Sequence, residues 1–255
     1  MKEYVVMDER TCGAPHRVYL FGDSVGLARG AWHGAKGVSF DETYTHLLMH
    51  RIRKLEAEKN TRIEYIPNNK RSRMILEIEA AMWELVLFQP TIFIVQTGIG
   101  DCSPRVFSRR QHAVMELMRP KRLQKAVIDW VHEHRRPIIK MFPNKVYTKL
   151  ERFEKAANNI VEALAKAGIH PAFISIAPPG SDLAYRSPGI DQNVVRYNEA
   201  YKRVCERWGG SYIDLHSRIA HAPDNYILSD GHHLNTSGHE ILADLLEEWL
   251  RKMIN

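Results

Sequence analysis

Three residues of this sequence have the side chains of a catalytic triad for acyl chemistry. Ser24 follows an apolar run in "VYLFGDSVGLARG" (18–30), and Asp230 and His233 lie near the other end of the sequence, in "SDGHHLNTSGHE" (229–240). A serine hydroxyl becomes a good nucleophile only when a base such as histidine removes its proton. A carboxylate can hold the imidazole in the right tautomer and stabilise its charged form. Asp230 and His233 are three residues apart, so one helical turn would place them on the same side.

Alternating strands and helices must bring the two ends of the chain together. Branched and aromatic apolar runs predict strands at 17–22, 62–67, 91–98, 137–143, 171–180 and 211–216. Apolar residues at helical spacing predict helices at 40–60, 73–89, 109–135, 149–168, 192–210 and from Asn235, Thr236 or Ser237 onward. This alternation is typical of an α/β fold with helices on both faces of a parallel sheet, in which ligands bind beyond the carboxyl ends of the strands.

The segment after the third predicted strand, "QTGIGDCSPR" (96–105), supplies further candidates. Backbone N–H groups of the nucleophile and of a nearby glycine loop can stabilise an oxyanion, so we expect Ser24 and Gly100 to donate there. Arg105 could bind an anionic substrate group or the oxyanion, and a surface salt bridge is an equal alternative. Cys102 could be a reactive thiol, but a buried, inert cysteine is the more common case.

The blocks "FGDSVGLA" and "DGHHLNTSGH" resemble those of the SGNH (GDSL-type) hydrolase family, and the resemblance covers nearly the whole chain in order. It implies a single domain over residues 1–255, with a three-layer α/β/α sandwich around a mostly parallel, five-stranded sheet of flavodoxin-like type. It also implies that Ser24 is the nucleophile, His233 the base and Asp230 the acid that orients it. The family's activity is ester hydrolysis or acyl transfer, often on acetyl groups of carbohydrates.

Two blocks depart from the family's pattern. Gly98-Ile99-Gly100-Asp101 replaces Gly-x-Asn-Asp, whose Asn side chain donates to the oxyanion, and losing such a donor costs about 3–4 kcal/mol in the transition state. The glycine expected after the second strand is absent from "IPNNKRSRM" (66–74). Asn68 or Asn69 could donate instead, and we choose Asn69 as the third oxyanion donor. The residues predicted to contact substrate are Asp23, Asp101, Arg105 and His232.

Histidine clusters raise the alternative of a metal site. His46 and His50 have the i, i+4 spacing of a zinc pair, but no glutamate completes an H-E-x-x-H motif. A metal could also bind to Asp230, His232, His233 and His239. For His239, which opens the last predicted helix, a structural role is favoured. We expect neither a metal nor another cofactor.

Composition limits the partners. Apolar residues make up 44% and charged residues 26% of the sequence, which is ordinary for a globular protein. The net charge of +6 is scattered among acids and forms no concentrated patch with aromatics, so we expect no nucleic-acid partner. Cys12, Cys102 and Cys205 fit neither a disulfide framework nor a CxxC site. We find no signal peptide and no apolar run of membrane-spanning length, and expect a cytoplasmic protein.

These patterns lead to one main functional hypothesis and two alternatives. The main hypothesis is a serine esterase that hydrolyses an acyl ester, most simply an O-acetyl ester of a small molecule, a sugar or a surface polysaccharide. The same triad could instead transfer the acyl group to a sugar. The third hypothesis, favoured by the lost Asn, is a catalytically silent carbohydrate-binding protein. The sequence leaves the oligomeric state open.

Overall fold

Five parallel strands form the central sheet of the computed structural model, which describes residues 15–31, 36–108, 111, 114–115, 117–142 and 145–254. The strand order is β2-β1-β3-β4-β5, and every neighbouring pair is parallel. The predicted α/β fold with a five-stranded sheet is therefore confirmed. The strands are β1 (His16–Gly22), β2 (Ile63–Asn69), β3 (Ile92–Gln96), β4 (His170–Ile174) and β5 (Ser211–Ile213).

Helices cover both faces of the sheet. Their bounds are α1 (Tyr44–Lys59), α2 (Ile75–Ala80), α3 (Leu85–Phe88), α4 (Ile99–Cys102), α5 (Lys121–Glu133), α6 (Arg135–Met141), α7 (Leu150–Lys166), α8 (Ser181–Arg186), α9 (Ile190–Trp208), α10 (Leu215–Ile219) and α11 (Thr236–Met253). The predicted helix 73–89 is divided into α2 and α3 by a 3-10 turn at Met82–Glu84. The Asn235 side chain accepts from the Gly238 N–H and caps α11.

One apolar core lies on each face of the sheet, between the strands and the helices, because neighbouring residues of a strand point to opposite faces of the sheet. Tyr19 and Phe21 of β1 pack in the core that contains α7 and α9. Val18 and Leu20 pack in the other core, with α1 and α11. Both faces of the inner strands are thus buried, which explains why these strands have continuous apolar sequences rather than alternating ones.

The predicted strand at 137–143 is wrong, since residues 135–141 form helix α6. Pro137 lies in the first turn of this helix, where its missing N–H is not needed, whereas a strand inside the sheet would lack one hydrogen bond. Ile139 is the buried residue of α6, whose other side chains are exposed or half-buried.

Two sequence predictions involve residues outside the described ranges. Cys12 and the N-terminal segment lie there, as does part of the predicted helix 109–135, whose described portion includes α5. Within the described residues, no helix combines the length and apolar character needed to cross a membrane.

Candidate active site

The nucleophile turn, residues 23–27, follows β1 and presents Ser24. Asp23 is buried, and its Oδ1 accepts from the Val25 N–H at 2.8 Å, which caps the single 3-10 turn. The same oxygen accepts from Gln96 Nε2 at 3.0 Å, so the last residue of β3 fixes the turn after β1. Burial raises the pKa of Asp23, although these hydrogen bonds partly oppose the shift. Asp23 therefore positions the turn, in addition to lining the cleft described below.

Asn69 supports the nucleophile turn from below. Its Nδ2 donates to the Asp23 carbonyl at 3.3 Å and to Tyr44 Oη at 3.5 Å. Gly22 and Gly26 leave room for this amide, since a Cβ at either position would overlap Asn69 Nδ2. Asn69, the predicted oxyanion donor, is not among the residues that line the cleft at Ser24, and its amide holds the nucleophile turn instead.

The base turn, residues 228–234, presents His233 beside Ser24. It is not a helical turn: Gly231 adopts a φ of 84°, and the Leu228 N–H donates to the His233 carbonyl at 2.7 Å. Asp230 Oδ1 accepts from the backbone N–H groups of His232 and His233, each at 3.1 Å. The carboxylate thereby closes the turn with one oxygen and leaves the other for the imidazole.

Ser24, His233 and Asp230 form a continuous hydrogen-bonded chain. Ser24 Oγ lies 2.9 Å from His233 Nε2, and His233 Nδ1 lies 2.7 Å from Asp230 Oδ2. Burial raises the pKa of Asp230, but hydrogen bonding with His233 and the charges of His232 and His233 outweigh it and hold this pKa well below its usual value. Asp230 is therefore ionised at neutral pH, as a group that orients and stabilises an imidazolium must be.

Two further side chains contact the His233 ring. The His232 ring lies 4.0 Å from it between centroids, and burial, followed by the charge of His233, lowers the pKa of His232 to about 4. The Arg29 guanidinium also reaches Nε2 of His233. This is the same nitrogen that faces Ser24 Oγ.

A cleft of about 580 Å³ opens at Ser24. Gly100, Arg105 and His232 line it as well, so the structure brings these predicted residues to the triad. Gly100 is the second residue of the short helix α4, where N–H groups have no acceptor within the helix. Arg105 donates to the Gly100 carbonyl at 3.0 Å and lies over the Tyr147 ring at 4.3 Å.

Asp101 does not line this cleft, in contrast to the expectation that it contacts substrate. It is fully buried, and its carboxylate accepts from the Ile75 N–H at 3.2 Å and from Thr148 Oγ1 at 2.6 Å. Asp101 therefore ties the loop after β3 to neighbouring segments. Cys102 beside it is also buried, which raises the pKa of its thiol far above neutrality and removes the thiolate that nucleophilic attack requires.

The candidate metal clusters differ in their geometry. The ligand-type atoms of Asp230, His232 and His233 lie within 4.8 Å of one another, but the 2.7 Å bond between Asp230 and His233 leaves no room for an ion between those two atoms. His46 and His50 hydrogen-bond to each other at 2.9 Å, and no third metal-ligating side chain among the described residues joins them. His239 is buried and accepts from the Tyr44 N–H at 3.1 Å, which is a structural role.

Several residues of the site were not predicted from the sequence. Gln96 could have been suspected, because it is a polar residue at the end of an otherwise apolar strand. Arg135 and Arg186 also line the cleft, but they lie in segments that carry no recognisable motif. Their positions follow from the contact between α6 and α8.

Solved structures with the same fold include several esterases, at low identity. The lipase/acylhydrolase from Enterococcus faecalis matches with a TM-score of 0.63 and 14% identity, over 94% of this chain and 97% of its own. An acetyl xylan esterase from Geobacillus stearothermophilus, solved as a variant, matches with a TM-score of 0.61 and 15% identity, over 93% and 95%. A psychrotrophic esterase from a Pseudoalteromonas species matches with a TM-score of 0.56 and 12% identity, over 94% and 99%.

Sequence comparison is more specific about the family. No curated protein matches this chain. The model of the GDSL-like lipase/acylhydrolase family matches residues 20–241, a span that includes both the nucleophile turn and the base turn. The chain belongs to the GDSL-like lipase/acylhydrolase family.

Proposed function

We propose that this protein is a serine esterase that hydrolyses an O-acetyl ester, with Ser24 as nucleophile, His233 as general base and Asp230 as the group that orients His233. The observation that carries this proposal is the hydrogen-bonded chain of 2.9 Å and 2.7 Å from Ser24 Oγ through the imidazole to Asp230. Its order matches the roles that acyl chemistry requires, and it opens on a cleft rather than on a closed core.

The reaction begins when Ser24 Oγ attacks the acyl carbonyl and His233 Nε2 takes its proton. Asp230, ionised and bound to Nδ1, stabilises the imidazolium that forms. The imidazolium then protonates the leaving alcohol, and the C–O bond of the ester breaks to give an acyl-serine. A water molecule, deprotonated by His233, attacks this acyl group, and the departing Ser24 oxygen regains a proton from the imidazolium.

The oxyanion of each tetrahedral intermediate is held by the backbone N–H groups of Ser24 and Gly100. Within the described part of the chain no acceptor uses the Ser24 N–H, and Gly100 lines the same cleft. Because Gly100 has no side chain, this oxyanion hole depends on the backbone where the family pattern supplies an amide side chain. We therefore expect lower turnover than a complete set of donors would give.

Two observations support an acetylated sugar as the substrate. The cleft is lined by polar and charged groups such as Ser103, Arg105 and His132, which suits a hydroxylated molecule better than a long acyl chain. One of the proteins with the same fold is named as an acetyl xylan esterase.

The proposal is tested with a serine-directed fluorophosphonate and intact mass spectrometry, followed by peptide mapping. We expect one adduct per chain on Ser24, and no adduct on the Ser24→Ala or His233→Ala variants. Turnover of 4-nitrophenyl acetate by the same preparations gives a second readout. An unlabelled, folded protein that still binds acetylated sugars would identify the protein as a silent binding protein, and full turnover by Ser24→Ala would refute the assigned nucleophile.

A further inference from the structure

Three arginines from separate segments converge on the cleft that contains Ser24. Arg105 lies after α4, Arg135 is the first residue of α6, and Arg186 is the last residue of α8. We refer to these three residues as the arginine cluster. Such convergence from distant parts of the sequence requires tertiary packing, and it concentrates positive charge within one cleft of about 580 Å³.

Arg135 is the best-anchored member of the arginine cluster. Its Nε donates to Ser187 Oγ at 3.0 Å and its Nη2 to the Pro104 carbonyl at 2.9 Å, and both of these partners are neutral. Across the described residues, Arg135 forms no ion pair. Burial, followed by the charges of Arg105 and Arg186, lowers the pKa of Arg135 to about 10, in keeping with the position of all three residues in one cleft.

The carboxylates that line the cleft have other partners. The carboxylates that line it, within the described ranges, are Asp23 and Asp230, and both are already bonded to groups of the nucleophile turn and the base turn. Arg186 pairs with Asp182, but both side chains are largely solvated, so this pair contributes little. Positive charge held at a partly desolvated position attracts an anion of complementary shape.

We propose that Arg105, Arg135 and Arg186 form a subsite for an anionic oxygen group on the alcohol part of the ester, so that the substrate is an O-acetylated acidic sugar. This inference rests on the proposed esterase function. An acetyl group has no ionisable function, so the anion must belong to the alcohol part. The planar guanidinium group donates two parallel hydrogen bonds to a carboxylate, sulfate or phosphate, a geometry that a neutral hydroxyl cannot match.

The test compares matched substrates that differ in charge. These are the methyl glycoside of mono-O-acetylated galacturonic acid, the same compound with its C6 carboxyl group converted to the neutral methyl ester, and an O-acetylated galactose 6-sulfate, with acetate release as the readout for all three. We expect kcat/KM to be about tenfold or more higher for an anionic substrate than for the neutral ester, since a hydrogen-bonded charge pair is worth at least one factor of ten. Whether the carboxylate or the sulfate is preferred identifies the source of the anion. The preference should shrink as salt is added.

Variants of the arginine cluster localise the effect. Arg135→Gln and Arg186→Gln should each reduce the ratio of anionic to neutral kcat/KM by about tenfold. Arg186 is partly solvated and has no anchoring role in the fold, so its variant keeps the test valid if Arg135→Gln fails to fold. Arg203→Gln is the matched control, because Arg203 of α9 pairs with Glu154 of α7 outside the cleft, so the variant removes the same charge and should leave the ratio unchanged.

The outcomes separate this inference from the proposed function. Equal turnover of all three substrates, or a ratio that neither cluster variant changes, would overturn the subsite and leave the esterase intact. Titration calorimetry on Ser24→Ala tests binding without turnover, and we expect Arg186→Gln in that background to weaken the affinity for the acetylated galacturonide about tenfold. If the wild-type protein hydrolyses no ester but shows this arginine-dependent binding, the subsite stands and the esterase proposal fails.

Discussion

The nucleophile turn and the glycine loop (98–105) follow neighbouring strands, β1 and β3, but they are built in different ways. Side chains from adjacent strands hold the nucleophile turn, with Gln96 of β3 bonded to Asp23 and Asn69 of β2 bonded to the backbone below Ser24. In the glycine loop, Asp101 is used for folding and Gly100 offers only its backbone. Under the proposed mechanism, side chains therefore position and activate the nucleophile, whereas the oxyanion is held by N–H groups of the main chain.

The largest expected effect comes from removing the base. His233→Ala leaves Ser24 without a proton acceptor, so we expect kcat on an acetyl ester to fall by about 10⁶-fold, as for triads that act as a unit. Steady-state kinetics with circular dichroism as a folding control measures this. A loss of less than about tenfold would show that the hydrogen bond between Ser24 and His233 is not catalytic.

Asp230→Asn tests how the hydrogen bond between Asp230 and His233 contributes to the activation of Ser24. The amide keeps the shape of the carboxylate and can still close the base turn, but its Nδ2 would face His233 Nδ1 and favour the wrong tautomer. We expect kcat to fall by about 10⁴-fold. Retained thermal stability in the same variant would show that the loss of kcat is due to the missing charge at residue 230 and to the tautomer of His233, and not to unfolding. Asp230→Ala, which also opens the turn, should lower both activity and stability.

Acid should weaken the support of the nucleophile turn. His239 accepts from the Tyr44 N–H, and Tyr44 Oη contacts Gln96 and Asn69 below Ser24. Burial, with a smaller contribution from the charge of His233, lowers the pKa of His239 to about 4. Between its ordinary pKa of about 6.5 and this value the unfolded chain binds more protons, so stability decreases as pH falls through that window, by roughly 3 kcal/mol for this group.

Urea unfolding at pH 7 and at pH 4 measures this loss. His239→Asn keeps an acceptor for the Tyr44 N–H but cannot be protonated, so we expect it to reduce the loss between the two pH values. An identical pH dependence in the variant and the wild-type protein would remove His239 from the explanation.

Gly100→Asn should bring the glycine loop closer to the family's pattern. A Cβ at Gly100 would lie 3.5 Å from Met74 Cγ, an ordinary van der Waals distance, so the backbone accepts a side chain there. An added amide donor should raise kcat about tenfold, which is below the full value of an oxyanion donor because the surroundings are not adapted to it. Gly100→Ala is the control for the Cβ alone and should not raise kcat. Equal effects of both substitutions would show that the backbone donors already suffice.

Much of the fold could be predicted from periodicity, and the departures have identifiable causes. The alternation of apolar strands and amphipathic helices predicted the parallel sheet, and the residues of β1 and β3 followed the expected pattern. The segment 137–143 was misassigned because a short apolar run fits either a strand or a helix. Its proline does not distinguish the two, since proline is tolerated both at the start of a strand and in the first turn of a helix. Asn69 was expected to donate to the oxyanion and Asp101 to contact substrate, since a polar residue near the end of a strand has no local signal for the direction of its side chain.

The sequence by itself determined the alternation of strands and helices apart from the segment 137–143, the family, and the identity of Ser24, Asp230 and His233 as the candidate triad. These follow from local patterns, namely side-chain periodicity and short motifs at the ends of strands. Only the tertiary structure decided that Asn69 and Asp101 hold loops together, and that Arg105, Arg135 and Arg186 share a cleft with Ser24. The physical reason is that the direction of a polar side chain depends on which buried donors and acceptors remain to be satisfied around it, and those partners come from distant parts of the chain.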